Sequence, residues 1–106
     1  MPTTEDIHDF LKKHDKHGIF DDNNAEVVLY GDEYLSGYIP NLDQAEQIYA
    51  ELQQALGDGV NVSITQDKPP RGPFQITVEA ASIQKEMLAR QQRVANTQND
   101  ILLKFL

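Results

Sequence analysis

Cysteine is absent from this chain. Without a thiol there is no disulfide, no thiolate zinc site, no iron–sulfur cluster and no cysteine nucleophile. Long apolar runs are missing too, since none approaches the roughly 18 to 20 residues that span a bilayer. The opening MPTTEDIHDF has neither the basic start nor the apolar stretch of a signal peptide. Together these absences predict a cytoplasmic protein with no membrane partner. Positive charge is also scarce, with nine Lys and Arg against 17 Asp and Glu and a net charge of −8. The imbalance is concentrated in one half. Residues 1–58 carry thirteen acidic and three basic side chains, a net of −10, and residues 59–106 a net of +2. Phosphate backbones would be repelled by the first half, so no nucleic-acid partner is expected. A field of this kind steers association with partners of opposite charge.

What is present fits one domain, residues 1–106, large enough to bury a core without staples but of modest stability. Residues 4 to about 16 read as an amphipathic helix. Thr3 or Thr4 caps it, Glu5, Asp6 and Asp9 lie near its positive end, and Lys12, Lys13 and Lys16 near its negative end. Ile7, Phe10, Leu11 and His14 form its apolar stripe, and Gly18 is a natural stop. Asp21–Asn24 is turn-forming. Ala25–Tyr30 and Glu33–Ile39 read as strands joined by a Gly31-Asp32 turn of type II′. Val27 and Leu29 share one face of this hairpin with Tyr34, Ser36 and Tyr38, while Val28 and Leu35 share the other. Both faces being apolar, the hairpin is expected to be covered on two sides or to form an interface.

Pro40 ends the second strand, and Asn41 with Gln44 caps the next helix. Ala45, Ile48, Tyr49, Leu52, Ala55 and Leu56 keep a 3-4 repeat up to the closing Gly57-Asp58-Gly59. Val60, Val62 and Ile64 alternate with polar residues, as do Phe74, Ile76 and Val78, so a second hairpin follows. Its loop, residues 67–73, holds three prolines and is expected to be stiff and extended, with Arg71 at its tip. Ser82 to about Asn96 is helical again. Thr97-Gln98-Asn99-Asp100 weakens that helix before the apolar tail of residues 101–106. The expected fold class is α+β: an N-terminal helix, then two ββα units. These would form one antiparallel or mixed four-stranded sheet with helices packed on one face. A right-handed crossover over the helix at 42–56, with a parallel pair in the middle, is the alternative.

Chemistry is harder to find. His8, His14 and His17 lie among aspartates, and His14 and His17 with Asp15 or Asp21 form the conceivable metal set. No ligand signature such as H-E-x-x-H is present, and a polar helix end with His8 exposed is the plainer reading. Asp21–Asn24 lacks the glycine and glutamate spacing of a calcium loop. Asp32 and Glu33 beside Tyr34 are placed at a solvated turn where nothing raises a carboxyl pKa. Ser36 has no glycine-framed elbow and no histidine after it, and no glycine-rich loop precedes Lys-Ser or Lys-Thr. No cofactor, metal or catalytic residue is therefore assigned, and an enzyme is the minority reading.

Gly37-Tyr38-Ile39-Pro40, a helix, then Gly72-Pro73-Phe74-Gln75-Ile76-Thr77-Val78 resembles the selenoprotein W-like redox family. There a strand leads to C-x-x-C or C-x-x-U, a helix and a G-x-F-x-V-x-V strand. The resemblance covers roughly residues 27–106 and leaves the helix at 4–16 without a counterpart. Glu33 and Ser36 stand where the redox pair belongs. It implies a cysteine-less thioredoxin-like domain, with its redox chemistry lost and a parallel strand pair around the helix at 42–56.

Two function classes follow. The first is a small acidic binding module, an adaptor, inhibitor or immunity-type protein that meets a basic protein partner. Asp21, Asp22, Asp32, Glu33, Asp43 and Glu46 would form its rim, Tyr34 and Tyr38 its anchors, and Arg71 a further contact. The second is a small-molecule-binding or enzymatic domain with a pocket between the first hairpin and a helix. The apolar tail has to dock on the core, on a second subunit or on a partner. Core docking is the simplest case. A homodimer through the tail, or through Tyr34 and Tyr38, is the sharper one.

Overall fold

The computed structural model describes the backbone of residues 3–21 and 28–104. It describes their side chains apart from those of Val28, Tyr30 and residues from 94 onward. The class is α+β. The elements are α1 (Thr4–His14), β1 (Val28–Tyr30), β2 (Glu33–Leu35), α2 (Leu42–Leu56), β3 (Val62–Gln66), β4 (Phe74–Glu79) and α3 (Ala80–Lys104).

The first helix starts at Thr3, whose Oγ1 accepts from the Asp6 N–H while the Asp6 carboxylate accepts from the Thr3 N–H. It stops at His14, two residues short of the expected end, because Asp15 turns its side chain onto the following backbone. One carboxylate oxygen accepts from the His17 N–H and the other from the Phe20 N–H at 2.7 Å. That loop folds back over α1, burying Ile19 and Phe20, and the Phe20 carbonyl lies 3.1 Å from Nε2 of His8. His8 is therefore half-buried, where the helical spacing had placed it on the exposed side.

The strands pair antiparallel in the order β1-β2-β4-β3. Tyr30 pairs with Glu33 across Gly31, whose φ of +63° suits the first central position of a type II′ turn. The expected strand to Ile39 breaks after Leu35. Leu35 pairs with Thr77 but Ile39 with Phe74, so β2 carries one extra residue, a bulge. Ser36 fills it. Its N–H donates to the Ile76 carbonyl, and its buried hydroxyl accepts from the Ile76 N–H at 2.9 Å in place of a main-chain carbonyl.

Because β2 and β3 both run antiparallel to β4, they are parallel to each other yet separated by it. The chain thus forms a split β–α–β unit around α2. The alternative topology with a parallel pair in the middle is not what forms. The same observation speaks against the thioredoxin-like arrangement that the redox-family resemblance implied: among the described residues no neighbouring parallel pair flanks α2, because the β3–β4 hairpin places its second strand in that slot.

Tyr34, Ile76, Val78 and Val62 are joined in one core by Ile7 and Leu11 of α1, Ala45, Leu52 and Leu56 of α2, and Ile83 of α3. The opposite sheet face carries Ser63, Thr65, Gln75 and Thr77 with half-buried Leu35. Two further expectations change. The loop of residues 67–73 is folded back, since Asp67 N donates to the Pro73 carbonyl and Arg71 N to that of Lys68. Positive φ at Lys68 (55°) and Gly72 (114°) reverses the chain on either side of the proline pair. Helix α3 runs unbroken through Thr97-Gln98-Asn99-Asp100. Each of those residues costs only a few tenths of a kcal/mol in a helix, and neither Gly nor Pro is among them.

Candidate functional site

The residues expected to form one acidic rim are divided between the two ends of the sheet. Asp32 and Glu33 lie at the β1–β2 turn, where the Asp32 carbonyl accepts from the first N–H of α3 at Ala80, 2.8 Å away. Glu33 pairs directly with Glu79. The other end is reached along β4, about 17 Å away at 3.4 Å per residue. There the Ile39–Phe74 bridge joins the start of α2 to the loop of residues 67–73. Tyr38, Asp43, Glu46 and Arg71 belong to this end, and all four are exposed. Asp21 is exposed and follows the segment that pairs with Gly37 through the Ile19 carbonyl at 2.8 Å. Asp22 lies outside the described residues.

Tyr34 is not a surface anchor. It is 4% exposed, and its hydroxyl donates to the Thr4 carbonyl at 3.4 Å. Burial raises its pKa above the ordinary tyrosine value, against the opposing effect of that hydrogen bond. Its position on the helix-facing side of β2 explains both facts. Tyr38, on the same face by simple alternation, escapes because the bulge at Ser36 shifts the strand by one residue.

Exposed apolar surface marks the same end. Tyr38 (43%) and Leu42 (45%) are large hydrophobic residues left in water on either side of Pro40. Asp43 and Glu46 follow Leu42 in the first turns of α2 and are exposed as well. Leu42 was missed in the sequence because helical spacing places it ahead of the buried Ala45 stripe, and nothing in spacing distinguishes an uncovered first turn. Leu29, the third such residue, lies on β1 at the sheet edge.

The histidines diverge. His17 Nε2 pairs with the Glu51 carboxylate on α2, and His14 Nε2 with Arg90 on α3. Among the described residues no three His, Asp or Glu side chains converge on one point.

Arg90 is the residue that sequence reading overlooked. It donates to Glu86 at 2.9 Å, to the carbonyls of Ala55 and Leu56 at 3.1 and 3.0 Å, and lies 5.0 Å from the Phe10 ring centre. The only sequence signal was the Glu86–Arg90 spacing of four.

A groove of about 380 Å³ runs between α1 and α3, bordered by Phe10, Met87, Asp6, Asp9, Lys13 and Gln91. Its carboxylates are already engaged, Asp6 with the Thr3 cap and Asp9 with Lys12 at 3.7 Å. Among the described residues no helix is long and apolar enough to cross a membrane. No protein-family model matches the chain, and no match is found among curated proteins or solved structures.

Proposed function

We propose that this protein is a small acidic protein-binding module, of the adaptor, inhibitor or immunity type. It engages a basic partner through the end of the sheet formed by Tyr38, Leu42, Asp43, Glu46 and Arg71. One observation carries the reading: Tyr38 and Leu42 are exposed together, and Asp43 and Glu46 follow them in the chain, exposed as well. An apolar centre with a charged rim is the anatomy of a protein contact, and aromatic and Arg side chains supply most of its energy. The net charge of −10 over residues 1–58 steers a basic partner toward this half. The same reading places the protein in the cytoplasm, where a chain without cysteine loses nothing to a reducing environment.

The experiment is affinity purification of the tagged protein from its own cell lysate at low and high salt, with mass spectrometry of the eluate. A stoichiometric basic protein is expected, lost at high salt and lost from the Tyr38→Ala/Leu42→Ala variant. It should be retained by Asp32→Asn, at the far end of the sheet. Recovery of the bait alone, or a partner indifferent to Tyr38 and Leu42, would remove this surface from consideration.

A further inference from the structure

Strand β3 is an edge strand, and its register shows which of its peptide groups face outward. The Asn61 carbonyl accepts from Glu79 N at 3.0 Å, and Asp67 N donates to the Pro73 carbonyl at 2.9 Å. Asn61, Ser63, Thr65 and Asp67 therefore turn their backbone toward β4, and the alternate residues turn theirs to the free edge. The flanking alternates are already engaged within the chain. The Val60 carbonyl accepts from Gln53 of α2 at 2.9 Å, and the Lys68 carbonyl from Arg71 N at 3.2 Å. Val62, Ile64 and Gln66 lie between them, and among the described residues nothing pairs with their outward N–H and C=O groups.

Natural edges of this kind are blunted by proline, lysine, a bulge or shortness. Residues 62–66 have no proline, no charge and an unbroken register along β4. The rest of the chain offers no strand to cover them. Ile19 bonds Gly37 beside β2, and β1 pairs with β2 as well, so the segment between Asp21 and Val28 is tethered there at both ends. The slot outside β3 is about 14 Å from β2 at about 4.8 Å per strand, and six residues are too few to reach it and return. After β4 the chain is one helix to Lys104.

We propose that two copies of this chain pair β3 with β3, antiparallel about a two-fold axis at Ile64, joining their sheets into one. Length and charge together identify the occupant. The free stretch is centred on Ile64, so Ile64 meets Ile64 while Val62 of each copy meets Gln66 of the other, each pair exchanging two hydrogen bonds. Pairing ends on both sides where Val60 meets Lys68, whose carbonyls are already taken. The antiparallel match also sets the start of one β3 against the end of the other. Exposed Asp58 then lies beside the loop that carries Lys68 and Arg71, once on each side of the axis, while Asp67 falls opposite uncharged Asn61. A foreign strand would have to reproduce both that length and that polarity. Half-buried Ile64 gains a mate on the helix side, and exposed Ser63 meets Thr65 on the open face. So short a contact buries less than the roughly 1,600 Å² of a standard interface, which makes the dimer concentration-dependent.

Sedimentation of the full-length protein from about 1 to about 200 µM tests this, the range in which weak complexes form. The mass should climb from 12.0 kDa towards twice that value. Gln66→Pro removes an outward N–H and should stay monomeric throughout. It also loses the side-chain bond to the Gly72 carbonyl, so Gln66→Ala is its control and should dimerise like the wild type. Tyr38→Ala/Leu42→Ala should dimerise too, which separates this proposal from the partner surface. Because the chain has no cysteine, a second measurement is clean even if Gln66→Pro does not fold. Residues 63 and 65 of opposite copies would face each other with about 4.5 Å between Cα atoms, within disulfide reach. Ser63→Cys and Thr65→Cys proteins mixed with oxidised glutathione should therefore link into dimers far more than either protein alone. A wild type that stays monomeric over the whole range overturns the proposal and leaves the edge to a strand of another protein. So does a folded Gln66→Pro that still dimerises, or a mixture that links no more than its components.

Discussion

Arg90 donates from Nη1 to Nε2 of His14 across 3.3 Å. Arginine is always a donor, so His14 must be neutral with its proton on Nδ1. Burial first, then Arg90 and Lys13, hold the His14 pKa below the ordinary histidine value. A folded-state pKa below the unfolded one gives stability that is complete above the unfolded value and is lost as pH falls through the folded one. Thermal midpoints recorded from pH 8 down to pH 5 should therefore fall in the wild type. They should fall less in His14→Gln, which keeps an acceptor but cannot titrate. Equal slopes would show that His14 contributes nothing to the acid sensitivity.

Arg90 closes the C-terminal end of α2 by donating to two of its last carbonyls, which have no partner within the helix. Arg90→Met keeps the stem and loses those bonds, at a cost of about 2 kcal/mol. Arg90→Lys should recover only a small part, since an ammonium cannot span Glu86, Ala55 and Leu56 as the planar fork does. Urea unfolding of the three proteins gives the ranking directly.

Glu86 receives Arg90 and also Arg93 at 3.2 Å, and these hydrogen bonds hold its carboxyl below the usual glutamate range. Its contribution is present above the unfolded-state pKa and disappears as pH drops through the folded one. Glu86→Gln should flatten the stability curve at pH 5 and below while leaving the His14 window untouched. Parallel curves for the two proteins below pH 5 would refute that assignment.

Ser36→Ala leaves the Ile76 N–H buried without its acceptor. An unsatisfied buried donor costs about 1–3 kcal/mol. The loss should appear in the urea midpoint with the m-value unchanged.

Gly72 is tested against Gly18. Both have positive φ, +114° and +72°, but a Cβ at Gly72 would sit 2.1 Å from the Asp67 carbonyl oxygen while Gly18 has open space. Gly18→Ala should cost about 1 kcal/mol, the backbone penalty alone. Gly72→Ala should cost clearly more, because the hairpin tip has to open. Equal losses would mean the tip relaxes freely.

Much of the helical framework was legible in the sequence because its signals are local. The boundaries of α2 follow from Asn41, the Ala45–Leu56 repeat and Gly57, each of which acts within a turn. Strand β4 is equally plain from Phe74, Ile76 and Val78. The parts that escaped depend on distant contacts. Phe20 belongs to no periodic stripe and is buried because Asp15 reels its backbone in. The bulge at Ser36 is a relation between β2 and β4, forty residues apart. The candidate rim looked continuous along the chain, yet 17 Å of sheet, at about 3.4 Å per residue, divides Asp32 and Glu33 from Tyr38. Arg90 has one partner nearby in sequence, Glu86, and the others lie more than thirty residues away.

Strand β4 is the last of the four to be synthesised, yet it lies between β2 and β3. On the ribosome, therefore, β2 and β3 each wait beside an empty slot until residues 74–79 emerge. The sheet closes only once β4 has emerged, and α3 follows directly. Nascent chains halted before Phe74 should bind holdase chaperones and yield to protease, and those released after Ile83 should resist it. A slot open this long is also where a neighbouring nascent chain can insert its own β4, so the yield of folded protein should fall as the rate of synthesis rises.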